Sequence, residues 1–240
     1  MESYDRTQPR TRSRLLVPLI LLVIGGALIW LVSAWAEDEL DVHRVTAEQP
    51  GAPALILLHG YGAPGNDLVG LGEVLSESLP GVQVLVPEAP FRLVGSGRAW
   101  YVESPGEAVE SRKLVGQLID ELVAAGTPRG KVAVVGFSQG ATMAVDLGLF
   151  HPDVGCTGAL SGRPLDGIGW RPRLAQGVSV DVFVAHGRKD RTIAFSDAVA
   201  LADMLESAGA SVTFAEFGGA HEIPPAIEDQ VGEFLATCLK

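Results

Sequence analysis

Gly136-Phe137-Ser138-Gln139-Gly140 closes the apolar run Val132-Ala133-Val134-Val135 and leads into Ala141-Thr142-Met143-Ala144. The run before it is short, continuous and rich in β-branched residues, as suits a strand buried on both faces of a parallel sheet. Ala141 to Phe150 suits a helix. A serine on the sharp turn between two such elements is lifted above the sheet, and the flanking glycines let neighbouring backbone pass where a Cβ would clash. The turn exposes the Ser138 hydroxyl. It also aims the helix N-terminus, with its unspent N–H groups and partial positive charge, at an anion forming beside that hydroxyl. Ser138 is therefore the candidate nucleophile.

A neutral serine is a weak nucleophile, so it needs a base, and the base needs a group to orient it. On this kind of turn the partners follow in the order Ser, Asp, His. A second buried run, Val180-Asp181-Val182-Phe183-Val184-Ala185, ends in His186-Gly187-Arg188-Lys189-Asp190. Then Ser211-Val212-Thr213-Phe214-Ala215-Glu216-Phe217 alternates as a strand and runs into Gly218-Gly219-Ala220-His221. Ligands of open α/β sheets bind beyond the carboxyl ends of the strands, where Ser138, Asp190 and His221 all fall. The expected roles are nucleophile for Ser138, general base and then acid for His221, and orienter for Asp190. Asp166, after the apparent strand Cys156 to Leu160, is the rival orienter. His59 and His186 each precede a glycine at a strand end and read as loop organisers, whereas His43 and His151 read as surface or packing residues.

A second motif points elsewhere. The strand Ala54-Leu55-Ile56-Leu57-Leu58 is followed by Gly60-Tyr61-Gly62-Ala63-Pro64-Gly65, a plausible helix from Asn66 to Leu79, a strand from Val82 to Val86, and Glu88. That order imitates a dinucleotide fingerprint with an acidic ribose partner. Pro64 removes an N–H where a pyrophosphate wants donors, and Glu88 lies 28 residues past Gly60 where about 20 is expected. The same loop has a use in the serine reading. There the Tyr61 and Gln139 N–H groups form an oxyanion hole.

These blocks together resemble the phospholipase/carboxylesterase family of small serine α/β-hydrolases, which includes acyl-protein thioesterases and bacterial carboxylesterases. The resemblance spans about Ala54 to Leu239. It rests on Leu58-His59-Gly60-Tyr61-Gly62, Pro87-Glu88-Ala89-Pro90, Gly97-Arg98-Ala99-Trp100-Tyr101, Gly136 to Gly140, Leu160-Ser161-Gly162, His186-Gly187 with Asp190, and Gly218-Gly219-Ala220-His221-Glu222. It implies a mostly parallel sheet with helices on both faces and the triad and oxyanion hole named above. The implied activity is cofactor-free hydrolysis of carboxylic esters, lysophospholipids or thioesters through an acyl-serine intermediate. It also implies that Trp100 lines the substrate pocket, against the plainer reading of a tryptophan packed for its area. Only Phe91-Arg92-Leu93-Val94-Gly95-Ser96-Gly97 separates Pro90 from Arg98, shorter than in the thioesterases and closer to the bacterial esterases. The alternative function is a non-catalytic domain of the same fold that binds a hydrophobic ligand or partner.

Leu15 to Ala36 is a stretch of 22 residues without a charge, preceded by Arg10, Arg12 and Arg14 and followed by Glu37-Asp38-Glu39. As a helix it would cover roughly 33 Å, enough for a hydrocarbon core of about 30 Å. Trp30 and Trp35 fall toward its outer end, as interface aromatics do. The expectation is a single-pass anchor with residues 1–14 as a basic cytoplasmic tail, 15–36 in the membrane, 37–53 as tether and edge segment, and the hydrolase domain at 54–240 outside the cytoplasm. A cleaved signal peptide is the alternative, because Ala34-Trp35-Ala36 has the form of a cleavage site, although its apolar region is long for that role.

Beyond Ala36 the 18 basic residues of the chain, less four arginines before the span, leave 14. The 29 acidic residues, less Glu2 and Asp5, leave 27, for a net charge of −13 with histidine neutral. So acidic a domain is repelled by nucleic acid. Cys156 and Cys238 stand in no metal-ligand spacing. At a sequence separation of 82, sequence does not bring their Cα atoms within the roughly 4.4 to 6.8 Å of a disulfide, and unlinked thiols are the expectation.

Overall fold

The computed structural model describes residues 23–24, 27–28, 39–93, 95–165 and 167–240. Val23–Ile24 and Ala27–Leu28 pair as a short antiparallel ladder. The remainder of the 15–36 stretch, and with it the expected membrane helix, lies outside the described residues. Among the described residues no helix is long and apolar enough to cross a membrane.

From residue 39 onward the chain alternates strands and helices. The strands are β1 (Val42–Arg44), β2 (Ala54–Leu58), β3 (Gln83–Pro87), β4 (Val132–Phe137), β5 (Cys156–Leu160), β6 (Asp181–Gly187) and β7 (Ser211–Phe217). The principal helices are α1 (Val69–Ser78), α2 (Pro105–Ala124), α3 (Gln139–Phe150), α4 (Trp170–Leu174), α5 (Phe195–Ser207) and α6 (Pro225–Cys238). One seven-stranded sheet runs in the order β7-β6-β5-β4-β2-β3-β1. Every pairing is parallel except that of β1 with β3 at the edge. This is the expected α/β-hydrolase architecture.

Side-chain alternation divides the core. Ala54, Ile56 and Leu58 of β2 face the layer that holds α2, α3, α4 and α5. Leu55 and Leu57 face the layer of α1 and α6. A strand covered on both faces must be apolar throughout, and all five β2 residues have no exposed surface. The register then fixes where loops emerge. Leu58 pairs with Gly136, Phe137 with Leu160, Leu160 with Ala185, and Gly187 with Phe217, so the loops after all five of these strands leave one rim of the sheet. From β2 the chain steps to β3, beyond which β1 forms the edge, and then crosses to β4 on the other side of β2, from where it moves the other way to β5, β6 and β7. The switch point therefore lies between β2 and β4, where the loops diverge and leave a crevice.

The turn from β4 into α3 is confined by its neighbours. A Cβ on Gly136 would lie 2.0 Å from the Gly140 carbonyl oxygen, and one on Gly140 would lie 2.1 Å from the Leu58 carbonyl oxygen. Both glycines are needed because backbone occupies the space a side chain would take. Helix α3 begins at Gln139 rather than Ala141, since the tight turn passes directly into helical backbone.

One feature departs from expectation, and a second was not legible in the sequence. Cys156 of β5 and Cys238 at the end of α6 are joined as a disulfide, with Cα atoms 6.3 Å apart. The 82-residue separation was no obstacle because α6 packs back beneath the sheet it follows. The second feature is a buried acid. Asp146 on α3 has no exposed surface; its Oδ1 accepts from Arg112 of α2 at 3.0 Å and from Trp170 Nε1 of α4 at 2.7 Å. Burial pushes its carboxyl up to about 6 despite the opposing pull of Arg112 and the two hydrogen bonds.

Two predictions follow from this packing. Gly140→Ala should cost about 3 kcal/mol or more, since neither clashing carbonyl can yield without moving β2, and denaturant unfolding measures it. The raised Asp146 pKa contributes stability that is present at low pH and lost as pH rises through about 6. Hence stability should gain more on acidification from pH 7 to 4.5 in the parent than in Asp146→Asn, by at most about 1.4 kcal/mol per pH unit. Paired melting curves at the two pH values provide the comparison.

Candidate active site

Ser138 occupies the turn above β4 with φ 56° and ψ −115°. Positive φ is costly for a residue with a Cβ and persists only where the surroundings enforce it. The Ser138 N–H donates to the Leu160 carbonyl at 2.8 Å, and its own carbonyl accepts from Ala141 and Thr142 at the start of α3. The residue is held from both sides and half-buried.

The loop after β2 forms the other wall of the crevice. Gly62 N–H donates to the Arg98 carbonyl and Arg98 N–H to the Ala63 carbonyl, both at 2.8 Å. His59 braces the base of the loop. Its Nδ1 lies 2.8 Å from the Gly60 carbonyl, while Nε2 accepts the Ala89 N–H at 3.0 Å. An N–H donor at Nε2 and a carbonyl at Nδ1 demand the neutral tautomer protonated on Nδ1. Burial favours the same uncharged form by lowering the His59 pKa, against the raising effects of the Gly60 bond and nearby Asp67 and Glu88. Neither Tyr61 N–H nor Gln139 N–H has an acceptor among the described residues. Both are therefore unspent donors, one on each wall.

Glu88 is committed elsewhere. Its Oε1 lies 2.9 Å from His43 Nε2 and its Oε2 2.5 Å from Arg98. A Cβ on Gly65 would meet Glu88 Cγ at 2.6 Å. The carboxylate thus packs beneath the glycine loop and anchors it, which overturns its resemblance to a ribose-binding acid.

Asp190 and His221 come together from the loops after β6 and β7. His221 Nδ1 lies 2.7 Å from Asp190 Oδ2. Asp190 Oδ1 accepts the Thr192 N–H at 2.8 Å and the Ile193 N–H at 3.0 Å. Burial pushes the Asp190 carboxyl up, but the bonds from Ile193, His221 and Thr192 outweigh it, and the net direction is down. The group is an ionised acceptor with no exposed side-chain surface. The His221 ring packs 4.7 Å from the ring of Phe137, the residue before Ser138. Nδ1 is taken by the carboxylate, which leaves Nε2 for a proton from outside. A hydrogen bond from Ser138 Oγ to His221 is not formed here, and such bonds commonly tighten only when substrate is bound. The rival orienter Asp166 lies outside the described residues.

Trp100 differs from expectation. It has no exposed surface, its Nε1 donates to the His59 carbonyl at 2.9 Å, and its ring lies 5.4 Å from that of His59. It stands behind the crevice wall and does not line the pocket, because filling the space under the His59 loop buries it completely. A shallow cavity of about 250 Å³ opens instead at Tyr101, Val102, Glu103, Ser104, Pro105 and Leu165, and it does not include Ser138. Sequence reading also missed the Gln139 side chain. Its Oε1 accepts the Trp100 N–H at 2.8 Å and its Nε2 donates to the Tyr101 carbonyl at 2.6 Å, tying the serine turn to the 98–101 segment. Among the described residues no group of three or more His, Cys, Asp or Glu could hold a metal ion.

Residues 42–239 match the model of the phospholipase/carboxylesterase family. The chain is 30% identical over 178 residues to acyl-protein thioesterase 1 of Eremothecium gossypii, covering 66% of this chain and 75% of that one. It is 27% identical to carboxylesterase SOBER1 of Arabidopsis thaliana over 69% of this chain and 81% of the relative. Among solved structures, esterase PE8 superposes with a TM-score of 0.73 at 25% identity, over 84% of this chain and all of the other. With its sheet order, its serine turn and a family match over nearly all of the described domain, the chain belongs to the phospholipase/carboxylesterase family of α/β-hydrolases.

Proposed function

We propose that this protein is a serine carboxylesterase in which Ser138, His221 and Asp190 form the catalytic triad and the N–H groups of Tyr61 and Gln139 form the oxyanion hole. The observation that carries this reading is the 2.7 Å pairing of His221 Nδ1 with Asp190 at the same rim of the sheet as the strained serine. In acylation Ser138 Oγ bonds to the ester carbonyl carbon as its proton passes to His221 Nε2. The carbonyl oxygen becomes an oxyanion facing the two unspent N–H donors, where preorganised dipoles stabilise it without reorganising. Collapse breaks the bond to the leaving alkoxide or thiolate, which takes the proton from the imidazolium. Water then attacks the acyl-serine with His221 again as base, releasing the acid and restoring Ser138. Asp190 keeps the imidazole in the tautomer that this sequence needs and stabilises its cationic form.

The substrate reading is a small-molecule or lipid ester, including lysophospholipids and thioesters. Residues 15–36 would hold the full chain in the membrane with the hydrolase domain outside the cytoplasm. The Cys156–Cys238 disulfide supports that side of the membrane, because such bonds persist in oxidising compartments.

The test is fluorophosphonate labelling of the full-length protein in isolated membranes, with intact-mass detection. One adduct should form on the parent and none on Ser138→Ala, whose kcat on a p-nitrophenyl ester should fall by about 10⁴-fold or more. Labelling that survives Ser138→Ala rejects the nucleophile. Recovery of the labelled chain wholly in the soluble fraction rejects the anchor while leaving the chemistry intact.

A further inference from the structure

His186 is the penultimate residue of β6, has no exposed surface, and is used by no step of the mechanism above. Its Nε2 lies 3.0 Å from the Ile193 carbonyl oxygen and 3.2 Å from Asp190 Oδ2. A carbonyl oxygen can only accept, so Nε2 carries a proton and donates it to Ile193, with the Asp190 oxygen in close contact beside it. Nδ1 is buried without a partner among the described residues. An orphaned polar atom in a core is a cost that a leucine of similar size would not incur. The use of a histidine here therefore lies in its Nε2–H.

That ring nitrogen also lies beside the oxygen that holds His221. Asp190 Oδ1 is fixed by the Thr192 and Ile193 N–H groups, and Oδ2 lies between His221 Nδ1 and His186 Nε2. Ile193 is gripped twice, since its N–H donates to Asp190 and its carbonyl accepts from His186 Nε2. Phe195 packs edge-on to the imidazole, with ring centroids 6.2 Å apart, and limits its rotation.

We propose that His186 is a positioning residue for the proton relay. It clamps the 190–193 turn through Ile193 and sets the rotation of the Asp190 carboxylate, and so the angle at which Oδ2 receives His221. This rests on the triad reading given above. Without the clamp the 190–193 turn, whose Thr192 and Ile193 N–H groups hold Oδ1, would lose the His186–Ile193 bond that fixes it, and the carboxylate could swing about its Cβ–Cγ bond. The imidazole would swing with it. Misplacement of a reacting group by about 1 Å costs on the order of 10²-fold in rate with little effect on binding.

The experiment compares the full-length protein with His186→Leu, which removes the donor, and His186→Gln, which places an amide N–H near the position of Nε2–H. The expected result is a fall of about 10²-fold in kcat and in fluorophosphonate labelling rate for His186→Leu, with KM within a few-fold. His186→Gln should recover most of that loss. The low-field resonance of the His221 Nδ1 proton should move in His186→Leu and return in His186→Gln, a signature that a purely space-filling role would leave unchanged. Parent-like kcat and labelling in a folded His186→Leu overturn the proposal. Should that variant fail to fold, nitrogen NMR of the parent decides: a proton on His186 Nε2 supports the clamp, and one on Nδ1 overturns it. A parent that takes no fluorophosphonate removes the triad reading itself, an outcome distinct from a labelled parent indifferent to residue 186.

Discussion

The approach of the β4–α3 turn to β2 is the constraint on which the rest of the structure depends. Gly140 lies so close to the Leu58 and His59 carbonyls that a methyl group has no place between them, and Gly136 is equally close to Gly140. Helix α3 can start directly over the end of β2 only on those terms. Its first N–H then faces the loop that leaves β2, and Ser138 takes up the positive φ that turns its hydroxyl away from the sheet. The strain is local, and the buried strands on either side supply the packing that maintains it.

Around this contact the protein uses polar side chains as braces. His59 ties the glycine loop to Ala89 and Trp100, Arg98 and Glu88 close its underside, and the Gln139 amide fastens the serine turn to the segment after Arg98. These groups are buried or nearly so, and their hydrogen bonds are made, which is the condition for a polar core to rigidify a site rather than weaken it. Two loops far apart in sequence thereby form a single wall. The N–H groups left unspent on it belong to Tyr61 and Gln139.

Sequence made the strands and their order legible because a doubly covered strand has no choice but to be apolar. The β2, β4, β5 and β6 runs could be read for that reason, and β7 by its alternation at a half-exposed edge. Ser138, Asp190 and His221 could be placed at the rim because strand ends and glycines mark it. What sequence hid is what depends on distance between loops. Trp100 could have faced a pocket or the core, and only the loop above it decides. Glu88 imitated a ribose ligand because spacing along the chain says nothing of Arg98 and His43. Helix α1 starts three residues later than periodicity suggests, since Asn66, Asp67 and Leu68 serve as the turn that leads into it.

The disulfide has a topological meaning beyond its covalency. Cys156 sits on the strand beside β4, and Cys238 closes the helix that follows β7. The loop that this bond completes contains β6, β7, Asp190 and His221, whereas Ser138 lies outside it. The acid and the imidazole are thus borne on a covalent ring, moored at the strand next to the one that carries the serine. A single backbone cut anywhere in that ring would leave both pieces attached. Wherever a protease nicked that ring, Asp190 and His221 would stay tethered within reach of Ser138.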